Sequence, residues 1–314
     1  YSKEEVKEFV IQRLHLTPET LGKTKNDVPS IVRDIGGLQY GGHNIELFNR
    51  FKNFKTEWFD YWCKNYALIE GHVLRGALRI VNVDEYPFYF KATRSVSRRR
   101  TYQKCPFSLS QEHCRALDFI ERHGPFTPSE FKTKFSKTYP QLKDKAKKLL
   151  NEMYNYGKIA RMGRKNSKPL YHSIEKLPYK LDMENISEKE AKKRLFLKSL
   201  SIYGPFTLSD VAHWVGWTLT ETKEISQILL QEGKIVSVNV EGQRKPNYLQ
   251  VKDLDFLNFF KDNLTEYSFI KILFNDDALL LGYYRRLRDF FGYLWRYPQL
   301  SEGVVWRAAI LHGR

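Results

Sequence analysis

The side chains that could take part in chemistry are concentrated in the first 90 residues. Polar and ionisable residues stand there among glycines and aromatic residues; they are Gln39, His43, Asn44, Glu46, Glu70, His72, Arg75 and Arg79. The sequence shows no His/Cys/Asp/Glu cluster with metal-ligand spacing, no Ser/His/Asp order and no dinucleotide-binding fingerprint. The pairs Gly36-Gly37 and Gly41-Gly42 lack the spacing of a phosphate-binding loop. Chemistry in this region would rely on hydrogen bonds and charge, and we expect neither a metal nor a cofactor.

Each of these residues also has an ordinary structural interpretation. Gln39 is suited to hydrogen-bonding a loop backbone, and His72 is typical of a partly buried histidine with satisfied hydrogen bonds. Arg75 and Arg79 are four residues apart, and such arginines are more often exposed or ion-paired than catalytic. The glycine pairs are suited to tight turns. The residue types alone leave both interpretations open.

The positive charge is concentrated in one quarter of the chain. The 314 residues include 52 Lys and Arg against 36 Asp and Glu, a formal net charge of +16. Residues 91–172 contain 20 of the basic and 6 of the acidic residues, which leaves a net charge of only +2 for the rest. A concentrated positive field suits a polyanion, because each neutralised phosphate releases counterions. The charge pattern therefore favours a nucleic-acid partner over a solvated basic face without one.

The composition excludes several other classes of protein. With 42% hydrophobic and 15% aromatic residues, a chain of this length can form two or three domains with their own cores. It has no run of about 18 apolar residues, so we expect no membrane span. The charged opening does not resemble a signal peptide. Three cysteines without a CxxC pair, Cys63, Cys105 and Cys114, favour a reducing compartment and argue against a zinc finger. We expect a cytoplasmic monomer.

An internal repeat organises the middle of the chain. The string Gly-Pro-Phe-Thr occurs at 124–127 and again at 204–207, 80 residues later. An amphipathic helix is predicted before each copy, at 108–123 and at 188–203. Ser108 and Ser187 are the predicted start signals, and the glycines of the two strings end these helices. Thr127 and Thr207 are placed to cap the next short helix.

Both copies continue in the same way. A third amphipathic helix is predicted at about 141–156 and at about 219–232, and Gly-Lys-Ile follows each. Two short strands around a basic turn come next; they are predicted at 159–162 and 170–172 in the first copy, and at 235–240 and 247–251 in the second. The order of helix, turn, helix, helix and hairpin is typical of a winged helix. Two copies in register strengthen that assignment.

The two copies differ in charge. In a winged helix the third helix can lie in the major groove while the wing reaches phosphate or the minor groove. The predicted DNA-binding residues of the first copy are Lys143, Lys145, Lys147, Lys148, Arg161, Arg164, Lys165 and Lys168. The helix of the second copy is nearly neutral, and only Arg244 and Lys245 mark its wing. The second copy therefore either positions the first or only packs. Lysines contact phosphates as point charges, which favours backbone binding over base-specific readout.

A basic linker precedes the first copy. It includes Arg98, Arg99 and Arg100, and it either contacts phosphate as an arm or is a solvated connection. Arg75 is a further DNA-binding candidate. The sequence predicts four segments. Residues 1–104 form an N-terminal helical or divergent winged-helix unit with the candidate active site and the basic linker. Residues 105–178 form a basic winged helix, 187–252 a near-neutral one, and 253–314 an incomplete C-terminal α/β region.

Short motifs along the chain resemble the AlkZ/YcaQ family of winged-helix DNA glycosylases. They are Leu38-Gln39-Tyr40 with Asn44-Ile45 and 48–51, then 70–81, and in the C-terminal region 277–287, 291–293 and 310–313. The resemblance implies an α+β fold with tandem winged-helix units in a C-shaped arrangement around double-stranded DNA. It also implies metal-independent removal of alkylated bases by N-glycosidic bond hydrolysis, including the unhooking of interstrand crosslinks.

The resemblance places the catalytic motif at Gln39. The family signature is Gln, an apolar residue, then Asp or Gln; Gln39 and Tyr40 match it, and Gly41 departs from it. The third side chain is expected to orient water or to stabilise the positive charge that builds on the sugar as the base leaves. His43 and Glu70 are the candidates to replace it, with Asn44, Glu46 and His72 nearby in sequence. The alternatives are a noncatalytic DNA-binding regulator or lesion sensor, and a protein that binds structured RNA.

Overall fold

The structure is a computed structural model, and it describes residues 1–94, 109–166, 168–177, 181, 185–266, 269–274, 277–279, 286, 290–291 and 308–313. The chain divides into two compact units. The terminal unit comprises Tyr1–Thr56 and Lys192–Arg314, and the central unit comprises Glu57–Ala191. The four segments predicted from the sequence follow the repeat along the chain, and their boundaries stay a prediction.

The central unit places one sheet beside several helices. Its helices are α4 (Thr56–Lys64), α5 (Tyr86–Arg94), α6 (Gln111–His123), α7 (Pro128–Thr138) and α8 (Ala146–Asn155), and its strands are β2 (Leu68–His72), β3 (Leu78–Asn82), β4 (Ile159–Lys165) and β5 (Lys168–Ser173). The four strands form an antiparallel sheet in the order β3-β2-β4-β5. Helices α6, α7 and α8 enclose a core of aromatic and aliphatic side chains that includes Phe119, Phe131 and Met153.

A bulge in β4 determines which side chains meet on this sheet. Glu70 of β2 lies directly opposite Arg161 of β4. The β4–β5 register shifts between Arg161 and Arg164, where Gly163 adopts a φ of +70°. In a regular strand, residues three apart point to opposite faces. A bulge adds one residue and restores the same face, so both arginines can reach Glu70.

The terminal unit joins both ends of the chain. Its helices are α1 (Lys3–Arg13), α2 (Val28–Asp34), α3 (His43–Phe48), α9 (Glu188–Tyr203, which begins in the central unit), α10 (Leu208–Val215), α11 (Leu219–Gln231) and α12 (Leu254–Phe259). Its strands are β1 (Leu38–Gln39), β6 (Ile235–Val238), β7 (Asn247–Gln250), β8 (Phe269–Phe274) and β9 (Ala308–Gly313). Arg13 pairs with Asp253 at 2.6 Å, and the hydroxyl of Tyr1 donates to Asn258 at 2.7 Å. These contacts hold α1 against the segment around α12.

The repeated helices and hairpins follow the predicted order, with three corrections to their bounds. Helix α6 begins at Gln111, because Ser110 accepts the capping bond from the amide of His113; Ser108, the predicted cap, lies outside the described residues. The third helix of the first copy begins with a 3-10 turn at Pro140–Lys145, and its α-helical part starts only at Ala146. The first hairpin is longer than predicted, because its strands continue through the bulge to the pair Lys165–Lys168.

The second copy follows its prediction closely. Helix α9 spans the predicted 188–203, and Ser187 accepts a bond from the amide of Glu190 at 3.1 Å. Helix α11 ends one residue before the predicted end, and its strands end at Val238 and Gln250, two residues and one residue earlier than predicted. Thr127 and Thr207 cap α7 and α10 through reciprocal capping boxes with Glu130 and Asp210. The predicted caps of both short helices are confirmed.

Candidate functional site

Gln39 stands at the end of β1, just after a turn. Gly36 and Gly37 follow α2 with φ values of +74° and +94°, and the amide of Gly37 donates to the carbonyl of Val32 at 2.9 Å. This turn leads into Leu38, whose side chain is fully buried, while the side chain of Gln39 is half-buried. The backbone amide of Gln39 donates to Oε1 of Glu46 at 2.9 Å. The backbone of Gln39 is therefore held by a side chain of the following helix.

Gly41, the third position of the motif, lies in open space. Its φ is +94°, and a Cβ built on it would meet no heavy atom within 4 Å. An L-residue there would be strained by its backbone conformation but would not be blocked by neighbours. The place where the resemblance expects Asp or Gln is thus an open position two residues after Gln39.

Helix α3 turns one face inward and one face outward. Glu46 and Leu47 are fully buried, whereas Asn44, Ile45 and Phe48 are exposed, with Phe48 at 67%. Phe48 lies four residues after Asn44 and three after Ile45, and residues three and four apart share a helix face. Ile45 and Phe48 make this face apolar, and Tyr40 is also exposed.

A buried ion pair follows α3. Arg50 is completely buried, and its Nη1 and Nη2 donate to the two carboxylate oxygens of Asp277 at 2.7 and 2.9 Å. Nη1 of Arg50 also donates to the backbone carbonyl of Glu46 at 2.9 Å. Burial lowers the pKa of Arg50, but Asp277 and then Glu46 raise it, and the net direction is upward. The guanidinium is therefore charged and binds the end of α3.

Glu70 lies in the central unit inside a second buried ion-pair cluster. Its Oε2 is 2.8 Å from Nη2 of Arg161, and its Oε1 is 2.6 Å from Nη2 of Arg164. The Arg161 guanidinium also lies over the rings of Tyr154 and Tyr171. Burial raises the pKa of Glu70, although both arginines act to lower it.

Three of the predicted site residues, Glu70, Arg161 and Arg164, neutralise one another in this cluster. Both carboxylate oxygens of Glu70 face a guanidinium, and the side chains of Arg161 and Arg164 are only 11% and 14% exposed. An arginine whose charge is matched in this way has little surface to offer to a phosphate. These ion pairs favour a structural role for Glu70, Arg161 and Arg164 over catalysis or phosphate binding.

The remaining candidates of the N-terminal region occupy different environments. His43 is half-buried at the first position of α3, four residues after Gln39. The ring of His72 lies 5.4 Å from that of Tyr154. Arg75 sits in a 3-10 turn with a φ of +53°, and Arg79 is 2% exposed. Arg98, Arg99 and Arg100 lie outside the described residues.

The lysines of the first repeat form an exposed basic surface on the central unit. Lys143 and Lys145 lie in the 3-10 turn, and Lys147 and Lys148 follow in the first turn of α8. Lys168 of the hairpin is exposed, as is Lys165. Helix α7 adds three exposed lysines that the sequence candidates did not include: Lys132, Lys134 and Lys137. Along the sequence these lysines are interspersed with the buried Phe131 and Phe135. The excess of positive charge in residues 91–172 was the signal that could have identified them.

Acidic partners of this surface leave its charge accessible. Lys145 pairs with Glu112 at 2.6 Å, Lys165 with Glu130 at 2.5 Å, and Lys148 with Glu152 at 3.8 Å. The lysines of these pairs remain more than half exposed. Exposed ion pairs contribute about 0–1 kcal/mol, so a phosphate can replace the carboxylate at low cost.

The second repeat shows the weaker charge that its sequence predicts. Acidic residues on and after α11 pair with lysines of α9: Lys192 with Glu221 and Lys193 with Glu232, both at 2.6 Å. Arg244 and Lys245 are exposed at the hairpin, and Lys245 lies 3.4 Å from the hydroxyl of Ser209. These pairs join α9 to the third helix of the repeat.

None of the helices in the described ranges is long and apolar enough to cross a membrane. The same part of the chain contains no group of three His, Cys, Asp or Glu side chains that could hold a metal ion.

Comparison with known proteins identifies the family. The sequence profile of the AlkZ-like DNA glycosylases matches residues 32–313, and the chain belongs to that family. A solved structure of similar fold is the Streptomyces sahachiroi DNA glycosylase AlkZ. It superposes with a TM-score of 0.71 at 15% sequence identity, covering 90% of this chain and 77% of that one. Among curated proteins there is no match.

Proposed function

We propose that this member of the AlkZ-like family is a DNA-repair glycosylase that hydrolyses the N-glycosidic bond of alkylated or crosslinked bases in duplex DNA. Membership of the family over residues 32–313 is the observation that carries the proposal. In the reaction, the bond between C1′ and the base nitrogen breaks, a bond from C1′ to a water oxygen forms, and the water releases one proton to solvent. The products are the free base and an abasic site.

Gln39 is the proposed catalytic residue. A base alkylated on a ring nitrogen carries a positive charge and leaves as a neutral molecule, so it needs no proton from the protein. The remaining demands are a positioned water and stabilisation of the positive charge that builds on the sugar. The amide oxygen of Gln39 is suited to both, because a fixed dipole acts strongly where water is excluded. Gly41 leaves room for the water or for the adduct on the base.

The exposed lysines of the central unit are the proposed contacts to the DNA backbone. The helices α6, α7 and α8 followed by the β4–β5 hairpin have the order of a winged helix, and α9, α10, α11 and the β6–β7 hairpin repeat it. We place phosphate contacts at Lys143, Lys145, Lys147 and Lys148 and at the hairpin lysines Lys165 and Lys168. Because the second repeat pairs its acidic residues with its own lysines, we assign it a role mainly in positioning the first repeat rather than in binding phosphate. Its exposed Arg244 and Lys245 stay proposed contacts of secondary weight.

Gly41 favours a second candidate function. A glycine cannot supply the third side chain of the family signature, and a protein that binds damaged duplex without cleaving it would tolerate that loss. This candidate is a lesion sensor with the same basic surface. It predicts binding to alkylated duplex without release of the base.

One assay separates the two candidates. The protein is incubated with a labelled duplex that contains a single N7-methylguanine, and the products are heated in alkali, which breaks the strand at abasic sites. A glycosylase produces a break at the modified position and none in the unmodified duplex. A duplex that is bound but stays intact would contradict the glycosylase and support the sensor. A second substrate with a nitrogen-mustard crosslink tests whether crosslinks belong to the substrate class.

A further inference from the structure

We propose that Glu46 is a positioning residue for Gln39, and that the buried pair of Arg50 and Asp277 holds Glu46 in place. The inference rests on the proposed function, because it concerns how Gln39 is presented to the substrate. It extends the site to Glu46, Arg50 and Asp277, which lie outside the catalytic motif.

A hydrogen bond joins the backbone of Gln39 to the side chain of Glu46 in α3. The amide of Gln39 donates to Oε1 of Glu46 at 2.9 Å, and the carbonyl of Gln39 accepts from the amide of Gly42 at 3.2 Å. Gly41 between them has a φ of +94°, and a Cβ built there would meet no heavy atom within 4 Å, so packing at that residue does not fix the turn. Glu46 therefore supplies the constraint on Gln39 that packing at Gly41 does not.

Glu46 is itself held in place by Arg50 and Asp277. Its backbone carbonyl accepts from Nη1 of Arg50 at 2.9 Å, and Arg50 makes a two-point ion pair with Asp277. Asp277 in turn accepts from the amide of Leu279 at 2.9 Å, and the hydroxyl of Tyr203 donates to the carbonyl of Ala278 at 3.0 Å. The contacts run from Gln39 through α3 to residues 277–279, and all of them lie within the terminal unit.

Burying the carboxylate of Glu46 carries a free-energy cost. Glu46 is 0% exposed and stands between Ile45 and Leu47 in an otherwise apolar stretch. A buried charge is expensive unless it is paired and hydrogen-bonded, and an apolar residue would suit the inward face of α3 better. The charge of Glu46 acts on Arg50, and its Oε1 binds the Gln39 amide. The bond to the Gln39 amide offsets part of this cost and gives the carboxylate a positional role.

The kinetic test compares two substitutions at Glu46. Glu46→Gln keeps an oxygen that can accept from the Gln39 amide, while Glu46→Met keeps the length of the side chain and removes the acceptor. We expect Glu46→Met to lower the single-turnover rate of base release on the order of 10- to 100-fold, because small displacements of reacting groups cost this much. The Kd for the duplex should change little. Glu46→Gln should restore most of the rate.

A matched control uses another buried glutamate of the terminal unit. Glu8 in α1 is 6% exposed, and its Oε1 accepts from Gln12 at 2.8 Å. Glu8→Met removes a buried carboxylate away from the motif, so any loss of stability should leave the rate of base release unchanged. A loss of rate shared by Glu8→Met and Glu46→Met would contradict a positioning role.

The second readout does not depend on activity. Amide hydrogen exchange at Gln39 reports the bond to Glu46 directly, and its loss should speed exchange there by roughly tenfold. Glu46→Gln should keep the protection. If the wild-type protein releases no base, the proposed glycosylase activity is wrong, and exchange at Gln39 still tests the bond that positions it. Unchanged exchange at Gln39 in Glu46→Met, or a wild-type rate of base release in that variant, would overturn the inference.

Discussion

Two clusters of buried charge dominate the residue scale. In the terminal unit, Arg50 and Asp277 meet across 227 positions of sequence. In the central unit, Glu70 meets Arg161 and Arg164. Both clusters place full charges where burial is costly, and in both the opposite charges are brought together by the fold rather than by neighbours in sequence. In the cluster around Glu70, residues that suggested catalysis and DNA binding pair with one another.

Removing the carboxylate of Glu70 should destabilise the central unit strongly. Glu70→Gln leaves two largely buried arginines without their counter-charge, and breaking a buried pair costs about 3–5 kcal/mol. Urea denaturation measures the loss in the free energy of unfolding. Glu112→Gln, which breaks an exposed pair with Lys145, is the control and should change stability by less than about 1 kcal/mol. Similar losses in the two variants would contradict the buried cluster.

His172 should make stability depend on pH. Its ring Nε2 lies 2.9 Å from the carbonyl of Met162, and burial lowers its pKa below the ordinary value of 6.5. The unfolded chain therefore binds the proton first as the pH falls. The stability that the neutral ring contributes is complete above pH 6.5 and is lost as the pH falls toward the folded pKa.

The measurement is denaturant unfolding at several pH values between about 7.5 and 5, in wild type and in His172→Gln. We expect wild type to lose stability over this range and the variant to lose less of it. His123 is exposed, and His123→Gln provides the control. An equal pH dependence in wild type and His172→Gln would show that the ring does not titrate as described.

The element scale shows which features the sequence predicts and which it does not. Local signals worked where a few neighbouring residues decide the outcome: the capping boxes at Thr127 and Thr207 and the helix 188–203 follow from short patterns. The prediction of the helix at 141–156 was wrong in its first turn, because Pro140 starts a 3-10 segment that the apolar periodicity does not distinguish. The bulge at Gly163 was also missed, since it lies in the pairing of β4 with β5, which the local pattern does not specify.

The candidate site divides in the same way. Gln39 and the open turn at Gly41 follow from the motif and its glycines. The bond from Gln39 to Glu46 and the pair of Arg50 with Asp277 do not, because they depend on how α3 packs and on a contact between distant parts of the chain. The sequence identified Glu46 only as a carboxylate near the motif, not as the partner of the Gln39 amide.

The caps of the two short helices should contribute equally to their own repeats. Thr127→Ala and Thr207→Ala each remove the side chain that accepts from the N3 amide, which costs about 1 kcal/mol. Thermal or urea unfolding measures the loss. Thr133→Ala, an exposed change in the middle of α7, is the control and should be neutral or slightly stabilising because alanine favours helix. A loss at Thr133 as large as at Thr127 would contradict the capping assignment.

At the scale of the whole molecule, charge distinguishes the two repeats. The exposed lysines of the first repeat lie together around the 3-10 turn and the start of α8, whereas the second repeat pairs its acidic residues with lysines of α9. A protein that binds duplex mainly through one basic surface should show a steep dependence of affinity on salt. That dependence should originate in the first repeat.

Neutralising the first repeat should flatten the salt dependence. Changing Lys143, Lys145, Lys147 and Lys148 to Gln should reduce the slope of log K against log salt by up to about 0.9 for each phosphate that is no longer neutralised. The matched variant changes Lys223, Arg244, Lys245 and Lys252 of the second repeat to Gln and should reduce the slope less. Fluorescence anisotropy with a labelled duplex at several salt concentrations measures both. Equal reductions would contradict the unequal repeats.

The most direct test of the proposed function compares wild type with Gln39→Ala on one substrate. Both proteins are incubated in excess with a duplex that carries a single N7-methylguanine, abasic sites are counted after alkali treatment, and the Kd for the same duplex is measured in parallel. We predict that wild type releases the base, and that Gln39→Ala binds with a similar Kd but loses base release by at least about 100-fold. Base release at the wild-type rate in Gln39→Ala would contradict the catalytic role of Gln39, and no base release in wild type would contradict the proposed glycosylase activity.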